Sequence, residues 1–435
     1  MDNPVGASTS SSSSLATQES PASFIQSNED TKANAIDGIS HPISKHNLLL
    51  MVGASWSKWY AAFKYVLPFY ITIHIAFFLI TCLSVLFILK DFSAPSMSFP
   101  GLLSLWLRWD TINFRAIAVN GYTILRLTAF FPLYPLLERS FIFITHNALI
   151  AGLIVSNLAG LGMLVVLYRL VQEDFDHERA LRTILYLSVF PAAFFFAAAY
   201  SESLFLFLSL LSFYHMRHAH WWLAGLFGFL AVLTRTTGFF LFIPFCYEYL
   251  RHHNFNLKTI RFDIASCIGF FAGIGIFALY CYIVFHDPLA FSHAEAFWNR
   301  KLSIPGYGML RSVKAIIVSQ GILSFQAFRN ILDLVPDLFI GVLVILGFVG
   351  PWKFPGNLRV YIICAATLYL FPQLFPFGGL YPLESMSRYL LAVFPAFIVL
   401  AGIGKNRTFD ISYLMISSFL LFFLLIQFLT GHWIT

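Results

Sequence analysis

Three charged side chains stand out because each lies where the sequence is otherwise apolar. Asp110 follows directly on Trp109, and tryptophans are typical of a membrane interface. Glu202 and Arg235 each lie in a short polar turn between apolar stretches. A partly desolvated carboxylate suits proton abstraction, and an arginine in a low-dielectric recess stabilises developing negative charge. The three residues are candidates for proton transfer and anion binding. The alternative is that Glu202 and Arg235 only neutralise each other in a structural ion pair.

The chain that must position these groups has the composition of a membrane protein. Of its 435 residues, 58% are hydrophobic and only 11% are charged, and the mean hydropathy is +0.75. These values exclude a soluble multidomain protein. Several apolar runs approach the roughly 20 residues that a helix needs to cross the hydrocarbon core, which predicts an all-α, polytopic helical bundle. The runs are 65–89, 147–168, 264–285, 338–350 and 411–429.

The charge balance and the cysteines exclude other classes of protein. Lys and Arg number 27 against 21 Asp and Glu, a net charge of +6, which in a membrane protein reflects basic residues at cytosolic helix ends rather than nucleic-acid binding. The five cysteines lie inside apolar segments without paired spacing, so neither a disulfide framework nor a zinc site is predicted.

The N-terminal segment differs in composition from the rest of the chain. Residues 1–55 are Ser-rich and poor in aromatic residues, which predicts a disordered cytosolic tail without the pattern of a signal peptide. Residues 56–435 form the predicted membrane domain of roughly ten or eleven helical segments, and its first span anchors the chain. Placing the basic clusters inside leaves three polar loops outside. These outer loops are residues 91–146, 286–332 and 375–388.

Two local patterns shape the predicted site. Between residues 182 and 258, four apolar arms of about 12 to 16 residues would each span only about 18 to 24 Å, which is less than the hydrocarbon thickness. The turns that carry Glu202 and Arg235 must then lie at bilayer depth or in a water-filled recess. In the first outer loop, the apolar spacing of residues 105–122 predicts a helix that lies in the membrane interface.

Ordered motifs within residues 104–404 carry a resemblance to a known family. The motifs are Arg108-Trp109-Asp110, Asn120-Gly121-Tyr122, Phe130-Phe131-Pro132-Leu133-Tyr134-Pro135, Phe190-Pro191-Ala192-Ala193-Phe194-Phe195-Phe196, Ala199-Tyr200-Ser201-Glu202-Ser203-Leu204-Phe205, Thr234-Arg235-Thr236-Thr237-Gly238, Asp287-Pro288-Leu289-Ala290-Phe291 with Trp298, and Ser387-Arg388-Tyr389. With them the chain resembles the GPI mannosyltransferase 2 family, also called the PIG-V family, within the GT-C class of polytopic glycosyltransferases.

The resemblance implies a membrane hexosyltransferase, in the first place a mannosyltransferase. Such an enzyme moves a mannosyl group from polyprenyl-phosphate (dolichol-phosphate) mannose to a lipid-linked glycan acceptor, which would be GPI-like or part of a bacterial envelope. Transfer from a β-linked donor to an α-glycoside inverts the anomeric centre, so one general base suffices. The family acid in the first outer loop corresponds to Asp110.

The resemblance also implies a location and a set of partners. The site would face the extracytoplasmic or lumenal side of a multi-pass protein, in a bacterial plasma membrane or in the endoplasmic reticulum of a eukaryote. The expected partners are the polyprenyl-phosphate sugar, the lipid-linked acceptor and the membrane lipids. No nucleic acid is predicted. The need for a partner subunit is left open, because a small spanning subunit would leave no motif in this chain.

The predicted contacts of the donor phosphate are Arg235, Arg388 and Arg108. A departing phosphate gains negative charge, which preorganised guanidinium groups stabilise best in a recess of low dielectric constant. This role also explains cations on the outer side, where the positive-inside tendency disfavours them.

The acceptor side is predicted to include Glu202, His293 and Trp298. Glu202 would support the base or bind the acceptor, and His293 would orient hydroxyl groups or assist the base. Trp298, Tyr307 and Tyr389 could stack on sugar faces, although interfacial belt aromatics have the same composition.

No metal site is predicted. Whether a divalent cation serves as a cofactor is left open, and no other cofactor is expected. Asp110 and Glu202 could share a cation, but nothing in their spacing requires one. The Asp-x-Asp triplet at 174–176 is of the kind that holds a cation in soluble nucleotide-sugar transferases. Because it lies between Arg169 and Arg179 on the predicted cytosolic side, it is interpreted as a solvated charged loop.

Two other functions fit parts of the same sequence. A secondary transporter or lipid flippase would also use broken helices and buried charges, but it predicts paired interruptions in the two halves of the chain. The turns at Glu202 and Arg235 have no counterpart after Arg300. A GT-C enzyme with another donor sugar, or with a protein as the acceptor, would differ only in its substrates.

Overall fold

The computed structural model describes residues 45–88 and 97–432, with side chains from residue 56 onward. Most of the predicted tail, residues 1–44, lies outside these ranges. Within them the chain is helical and contains no strand. Its α-helices are α1 (Lys45–Leu83), α2 (Phe99–Ser104), α3 (Asp110–Asn120), α4 (Leu133–Thr145), α5 (Ala148–Asp174), α6 (His177–Ser188), α7 (Glu202–Arg217), α8 (Trp221–Thr234), α9 (Phe242–His252), α10 (Ile268–Phe285), α11 (Ala290–His293), α12 (Tyr307–Val318), α13 (Phe325–Phe348), α14 (Arg359–Gln373), α15 (Met386–Leu390), α16 (Phe394–Ile403) and α17 (Arg407–Leu429). The predicted all-α class is confirmed.

Five helical segments are long and apolar enough to cross a membrane. They correspond to the five predicted apolar runs and make the chain a multi-pass membrane protein. The five are Trp56–Phe87, Ala148–Asp174, Phe262–Phe285, Phe325–Phe348 and Arg407–Leu429.

One span is longer than the sequence indicated. The run at 338–350 is only the second half of α13, and the helix begins at Phe325, inside the region 286–332 that was predicted as an outer loop because it is polar. The polar side chains of the first half of α13 pack inward against neighbouring elements. Arg329 pairs with Glu384 at 2.9 Å, and the Ser387 hydroxyl donates to Asp333 at 3.0 Å. Internal partners allow polar groups to lie within an apolar helix.

Four short helices occupy the region of the predicted short arms. Helices α6, α7, α8 and α9 have 12, 16, 14 and 11 residues. Helices α7 and α8 are joined by three residues and pack against each other as an antiparallel pair. The beginning of α7 and the end of α8 therefore lie at the same end of the pair, which brings the two polar turns together.

Close packing fixes this pair against its neighbours. A Cβ atom at Gly225 of α8 would collide with the backbone of Ser266, and one at Gly269 of α10 would lie 2.6 Å from the Gly225 carbonyl oxygen. Small residues at these positions let the helix backbones approach closely. Helix α16 is buried along nearly its whole length, as expected for a helix that is apolar on every side. The result is a rigid support for the polar turns.

Candidate active site

The backbone directly before Asp110 is strained. Trp109 has a φ of 48°, in the left-handed region that favours glycine. This turn ends the preceding segment, so the helix predicted over residues 105–122 begins only at Asp110. The backbone N–H of Asp110 donates to the Tyr200 hydroxyl at 3.3 Å, and that hydroxyl donates to the Arg108 carbonyl at 3.3 Å. The turn places the Asp110 carboxylate at the first position of α3, mostly buried.

The two polar turns meet at the paired ends of α7 and α8. Glu202 is the first residue of α7, and Arg235 follows directly on α8. The Arg235 guanidinium donates to Glu202 Oε1 at 2.5 Å and to the Ser201 hydroxyl at 3.4 Å. Both charged side chains are largely buried. The ion pair that was the structural alternative is therefore present, but it forms only part of a larger cluster.

Arg388 of α15 joins this pair to Asp110. Its Nη1 donates to Asp110 Oδ2 at 2.5 Å, and its Nε lies 3.1 Å from Glu202 Oε1. Glu202 therefore faces two guanidinium groups, while its buried Oε2 has no hydrogen-bond partner among the described residues. Four residues that are far apart in sequence form one contact cluster, named here the charge cluster: Asp110, Glu202, Arg235 and Arg388.

A cavity of about 310 Å³ opens beside the charge cluster. Asp110, Arg235 and Arg388 line it on the charged side. The remaining wall is rich in aromatic side chains, as expected of a small-molecule site with a few convergent polar groups. These aromatic residues are Phe114, Phe130, Phe131, Phe291, Trp298, Phe371, Phe375, Phe377 and Tyr389.

A third arginine of the cavity was not found from the sequence. The Arg300 guanidinium lies over the rings of Phe377 and Tyr389, and its Nη2 donates to the Tyr389 hydroxyl at 2.6 Å. Its nearest carboxylate is Glu295, at 3.5 Å. A backbone bridge between Arg300 and Phe377 joins the second outer loop to the third. A basic residue in a predicted outer loop was the available signal, since the positive-inside tendency disfavours it there.

The other predicted site residues lie at different distances from the charge cluster. Trp298 lines the cavity and packs its ring edge against Phe130. His293 is 60% exposed and pairs with Asp287 at 2.7 Å, so it does not line the cavity. This hydrogen bond lowers the pKa of the Asp287 carboxyl. Arg108 donates to the Leu429 carbonyl at 2.9 Å and thereby holds the start of α3 against the last helix.

The place where Asp110 and Glu202 could share a metal ion contains the Arg388 guanidinium. Among the described residues, no three His, Cys, Asp or Glu side chains converge in a way that could hold a metal ion. Arginine supplies the positive charge between the two carboxylates.

A further buried carboxyl, that of Glu138, lies one helical turn after Tyr134 in α4. Its Oε2 is buried without a hydrogen-bond partner, and α4, which carries it, lies outside the five candidate spans. Burial raises the pKa of Glu138 to about 8. The Tyr134 hydroxyl contacts Ser156, which in turn donates to the Tyr200 carbonyl beside the charge cluster. Arg139 follows Glu138 directly, as in an ordinary exposed charged pair, so the sequence did not reveal that Glu138 is buried.

Part of the chain matches a known family. Residues 131–283 match the family described as dolichyl-phosphate-mannose-protein mannosyltransferase. The matched segment contains Glu202 and Arg235, and it lies between Asp110 and Arg388 in the sequence.

Two curated relatives carry the name GPI mannosyltransferase 2. The relative from Drosophila pseudoobscura pseudoobscura is 37% identical over 116 residues, which cover 23% of this chain and 25% of the relative. The relative from Schizosaccharomyces pombe is 29% identical over 157 residues, which cover 35% of this chain and 34% of the relative. The chain thus matches about a quarter to a third of the length of these relatives.

A solved structure was also compared with the chain. The Archaeoglobus fulgidus oligosaccharyltransferase, tethered with an acceptor peptide, aligns with 84% of this chain and 55% of that chain, with a TM-score of 0.39 and 12% identity. At this TM-score the two structures do not define a shared site. The family match and the two relatives confirm the resemblance that the sequence motifs carry. Over part of its length the chain is therefore similar to the family described as dolichyl-phosphate-mannose-protein mannosyltransferase and to relatives named GPI mannosyltransferase 2.

Proposed function

We propose that the protein is a membrane mannosyltransferase. It moves a mannosyl group from polyprenyl-phosphate mannose to a lipid-linked glycan acceptor, with inversion. The observation that carries this proposal is the position of Arg388, which contacts both Asp110 and Glu202 at the edge of a cavity of about 310 Å³. The names of the matched family and relatives support mannose as the transferred sugar.

Asp110 is the proposed general base. The proton of the acceptor hydroxyl moves to the Asp110 carboxylate while the acceptor oxygen attacks the anomeric carbon. The bond between that carbon and the phosphate oxygen breaks on the opposite face, and its electron pair leaves with the polyprenyl phosphate. One carboxylate near the cavity suffices for a single in-line displacement.

Arg235 and Arg388 are the proposed contacts of the donor phosphate. Without a donor, both are neutralised by carboxylates of the charge cluster, so an incoming phosphate competes with Glu202 and Asp110 for them. When Arg388 turns toward the phosphate, its ion pair with Asp110 opens, and the Asp110 carboxylate is free to accept the proton of the acceptor hydroxyl. Donor binding thereby prepares the base for the acceptor.

The aromatic wall is the proposed acceptor side. Trp298 and Phe130 present ring faces and edges to the cavity, and such surfaces suit the apolar faces of sugars. The uncommitted Oε2 of Glu202 would accept a hydrogen bond from an acceptor hydroxyl. Arg108 has a positioning role through α17, and His293 supports the second outer loop through Asp287.

The proposal also covers the organisation of the chain. The site faces the extracytoplasmic or lumenal side, so a donor whose polyprenyl tail lies in the bilayer approaches it laterally. The catalytic unit is residues 56–435, and residues 1–55 form a cytosolic tail.

The test is mannosyl transfer in membranes supplied with labelled polyprenyl-phosphate mannose, comparing the wild type with Asp110→Asn at matched expression. A labelled lipid product that is lost only in the variant is the expected result. Label in protein rather than lipid would assign a protein acceptor. Equal labelling by both, or none by the wild type with several donor sugars, would overturn the proposal and favour a transporter.

A further inference from the structure

Tyr389 lies among three arginines. The guanidinium carbons of Arg235, Arg300 and Arg388 are 5.0, 5.1 and 5.7 Å from its ring centroid. Burial raises the pKa of the Tyr389 hydroxyl, but the nearby charges of Arg300, Arg388 and Arg235 lower it below the ordinary tyrosine value. Tyr389 is outside the five candidate spans and lines the cavity. A hydroxyl in this position is a stronger hydrogen-bond donor than an ordinary phenol.

The hydrogen of the Tyr389 hydroxyl is not used within the described part of the chain. Arg300 Nη2 donates to the Tyr389 oxygen, and a guanidinium cannot accept a hydrogen bond in return. Other buried tyrosines donate to the protein: Tyr200 to the Arg108 carbonyl and Tyr361 to the Asp174 carboxylate. Because buried tyrosine hydroxyls usually find an acceptor, the Tyr389 hydroxyl has the arrangement expected if the acceptor is a ligand.

The charges around Tyr389 indicate what that ligand is. Arg235 and Arg388 each have a carboxylate at 2.5 Å, whereas the nearest carboxylate to Arg300 is Glu295 at 3.5 Å. Positive charge is therefore least neutralised on the Arg300 side of Tyr389. An anion that accepts several hydrogen bonds fits this position best, and a phosphate monoester has three acceptor oxygens.

We propose that Tyr389 is a further catalytic residue, whose hydroxyl donates a hydrogen bond to the departing polyprenyl phosphate while Arg300 positions it. This inference rests on the proposed function. No proton is transferred in the step, because the phenol stabilises the electron pair that the phosphate oxygen receives. The donor phosphate is a diester with one negative charge, and the departing monoester approaches two. The hydrogen bond therefore strengthens as the bond to the sugar breaks.

The variant that tests this role is Tyr389→Phe, which removes the hydroxyl but keeps the ring and the contacts of the ring with the three arginines. Loss of one preorganised donor to a developing oxyanion costs about a hundredfold in kcat, with the donor KM nearly unchanged. The control is Tyr282→Phe on the exposed side of α10, which removes a hydroxyl outside the cavity and leaves kcat unchanged. Unchanged kcat in Tyr389→Phe would overturn the proposal.

A binding measurement separates this role from a structural one and does not depend on turnover. A short-chain polyprenyl monophosphate is titrated into the purified full-length protein by calorimetry, and its mannosyl diester is titrated likewise. Tyr389→Phe is expected to weaken monoester binding about tenfold or more and diester binding much less, because hydrogen bonds to the more charged group are stronger. Arg300→Lys keeps the charge and restores part of the monoester affinity that Arg300→Gln loses.

The outcomes of this titration are distinct. Equal weakening of monoester and diester would show uniform binding and overturn a catalytic role for Tyr389. Absence of monoester binding in the wild type would overturn the phosphate site itself. If the wild type binds the monoester through Tyr389 but transfers no mannose, the proposed function fails and the anion site stands.

Discussion

Helix α7 has a charged cluster at each end, and the two clusters are built differently. Glu202 is its first residue and contacts Arg235 and Arg388, whereas Arg217 is its last and contacts Asp174. Along the helix axis the two ends are about 22 Å apart. The comparison shows how the same residue types serve packing at one end and are available to a ligand at the other.

The Arg217 end is closed. Arg217 donates to both oxygens of Asp174 and to Glu248, and Arg251 donates to both oxygens of Glu248. The Tyr361 hydroxyl adds a bond to Asp174 at 2.6 Å. The interpretation of this Asp-x-Asp segment as a solvated loop was wrong for Asp174, because its side chain has partners on two other helices, Arg217 on α7 and Tyr361 on α14. Fully paired charges of this kind fix the packing of helices.

The Glu202 end is open. Among the described residues Glu202 Oε2 is buried without a hydrogen-bond partner, Arg388 Nε has only its 3.1 Å contact with Glu202 Oε1, and the cavity lies beside Arg388. Unsatisfied buried polar atoms are rare in folded proteins and require an explanation. Beside a cavity, the explanation is a bound substrate that completes the pairing.

The largest expected effect comes from removing one carboxylate charge at each end. We expect Asp110→Asn to lower turnover by about 10²- to 10⁴-fold, the usual contribution of a general base, without a loss of melting temperature. Asp174→Asn, at the closed end, should lower the melting temperature and leave turnover per folded molecule near that of the wild type. Transfer assays and thermal unfolding in detergent check both. Wild-type turnover in Asp110→Asn would place the base elsewhere.

The next effect concerns stability at the closed end. Arg217→Ala leaves Asp174 without its cation and Glu248 with Arg251 alone. Breaking a buried ion pair by removing one partner costs about 3 to 5 kcal/mol. We expect a marked drop in the melting temperature measured in detergent. Lys405→Ala, at an exposed position, is the control and should leave the melting temperature unchanged. Similar melting curves for the two variants would contradict a packing role for the Arg217 network.

A smaller effect should follow from Glu202→Gln at the open end. The amide keeps the shape of the side chain but no longer neutralises Arg235 and Arg388, so we expect kcat to fall about tenfold to a hundredfold. Because Glu202 competes with the donor phosphate for both arginines, the donor KM should not rise. Glu178→Gln, on an exposed side chain, is the control. A higher donor KM with unchanged kcat would instead make Glu202 a donor contact.

The smallest effect is on the pH dependence of stability. Burial raises the pKa of Glu138 from its ordinary value of 4.5 to about 8. Between these values the folded protein holds a proton that the unfolded chain has lost, so stability falls as the pH rises through this window. Glu138→Gln should remove this component, so the melting temperature of the variant should fall by several degrees less than that of the wild type across this pH window. An unchanged slope in the variant would show that Glu138 is ionised in the folded protein.

Much of the fold was predictable because membrane spans have a strong apolar signal. Hydropathy located all five candidate spans, although it shortened α13, whose first half carries Arg329 and Asp333. Their partners, Glu384 and Ser387, are more than 50 residues away in the sequence. Sequence periodicity cannot reveal hydrogen-bond and ion-pair partners that are so far away in the chain, so the polar first half of α13 resembled a loop.

Part of the candidate site was predictable because a charged side chain within an apolar segment costs free energy and therefore stands out. Asp110, Glu202 and Arg235 were expected together because each lies in an apolar setting. The structure joins them through Arg388, which was predicted as a contact of the donor phosphate. Arg300 and the hydroxyl of Tyr389 were missed. Their roles depend on the backbone bridge between two outer loops and on which neighbouring charges are already paired, and neither property is a feature of a local segment.

The length of α7 has a consequence for the surrounding lipid. Its 16 residues place charged groups at both ends, about 22 Å apart, while a typical hydrocarbon core is about 30 Å thick. Both ends can reach water if the bilayer becomes thinner around this part of the protein, or if a water-filled recess such as the cavity extends to one end. Thinning draws headgroups inward and bends nearby acyl chains, and its elastic cost depends on lipid length. The composition of the host membrane is therefore part of what sets the energy of this fold.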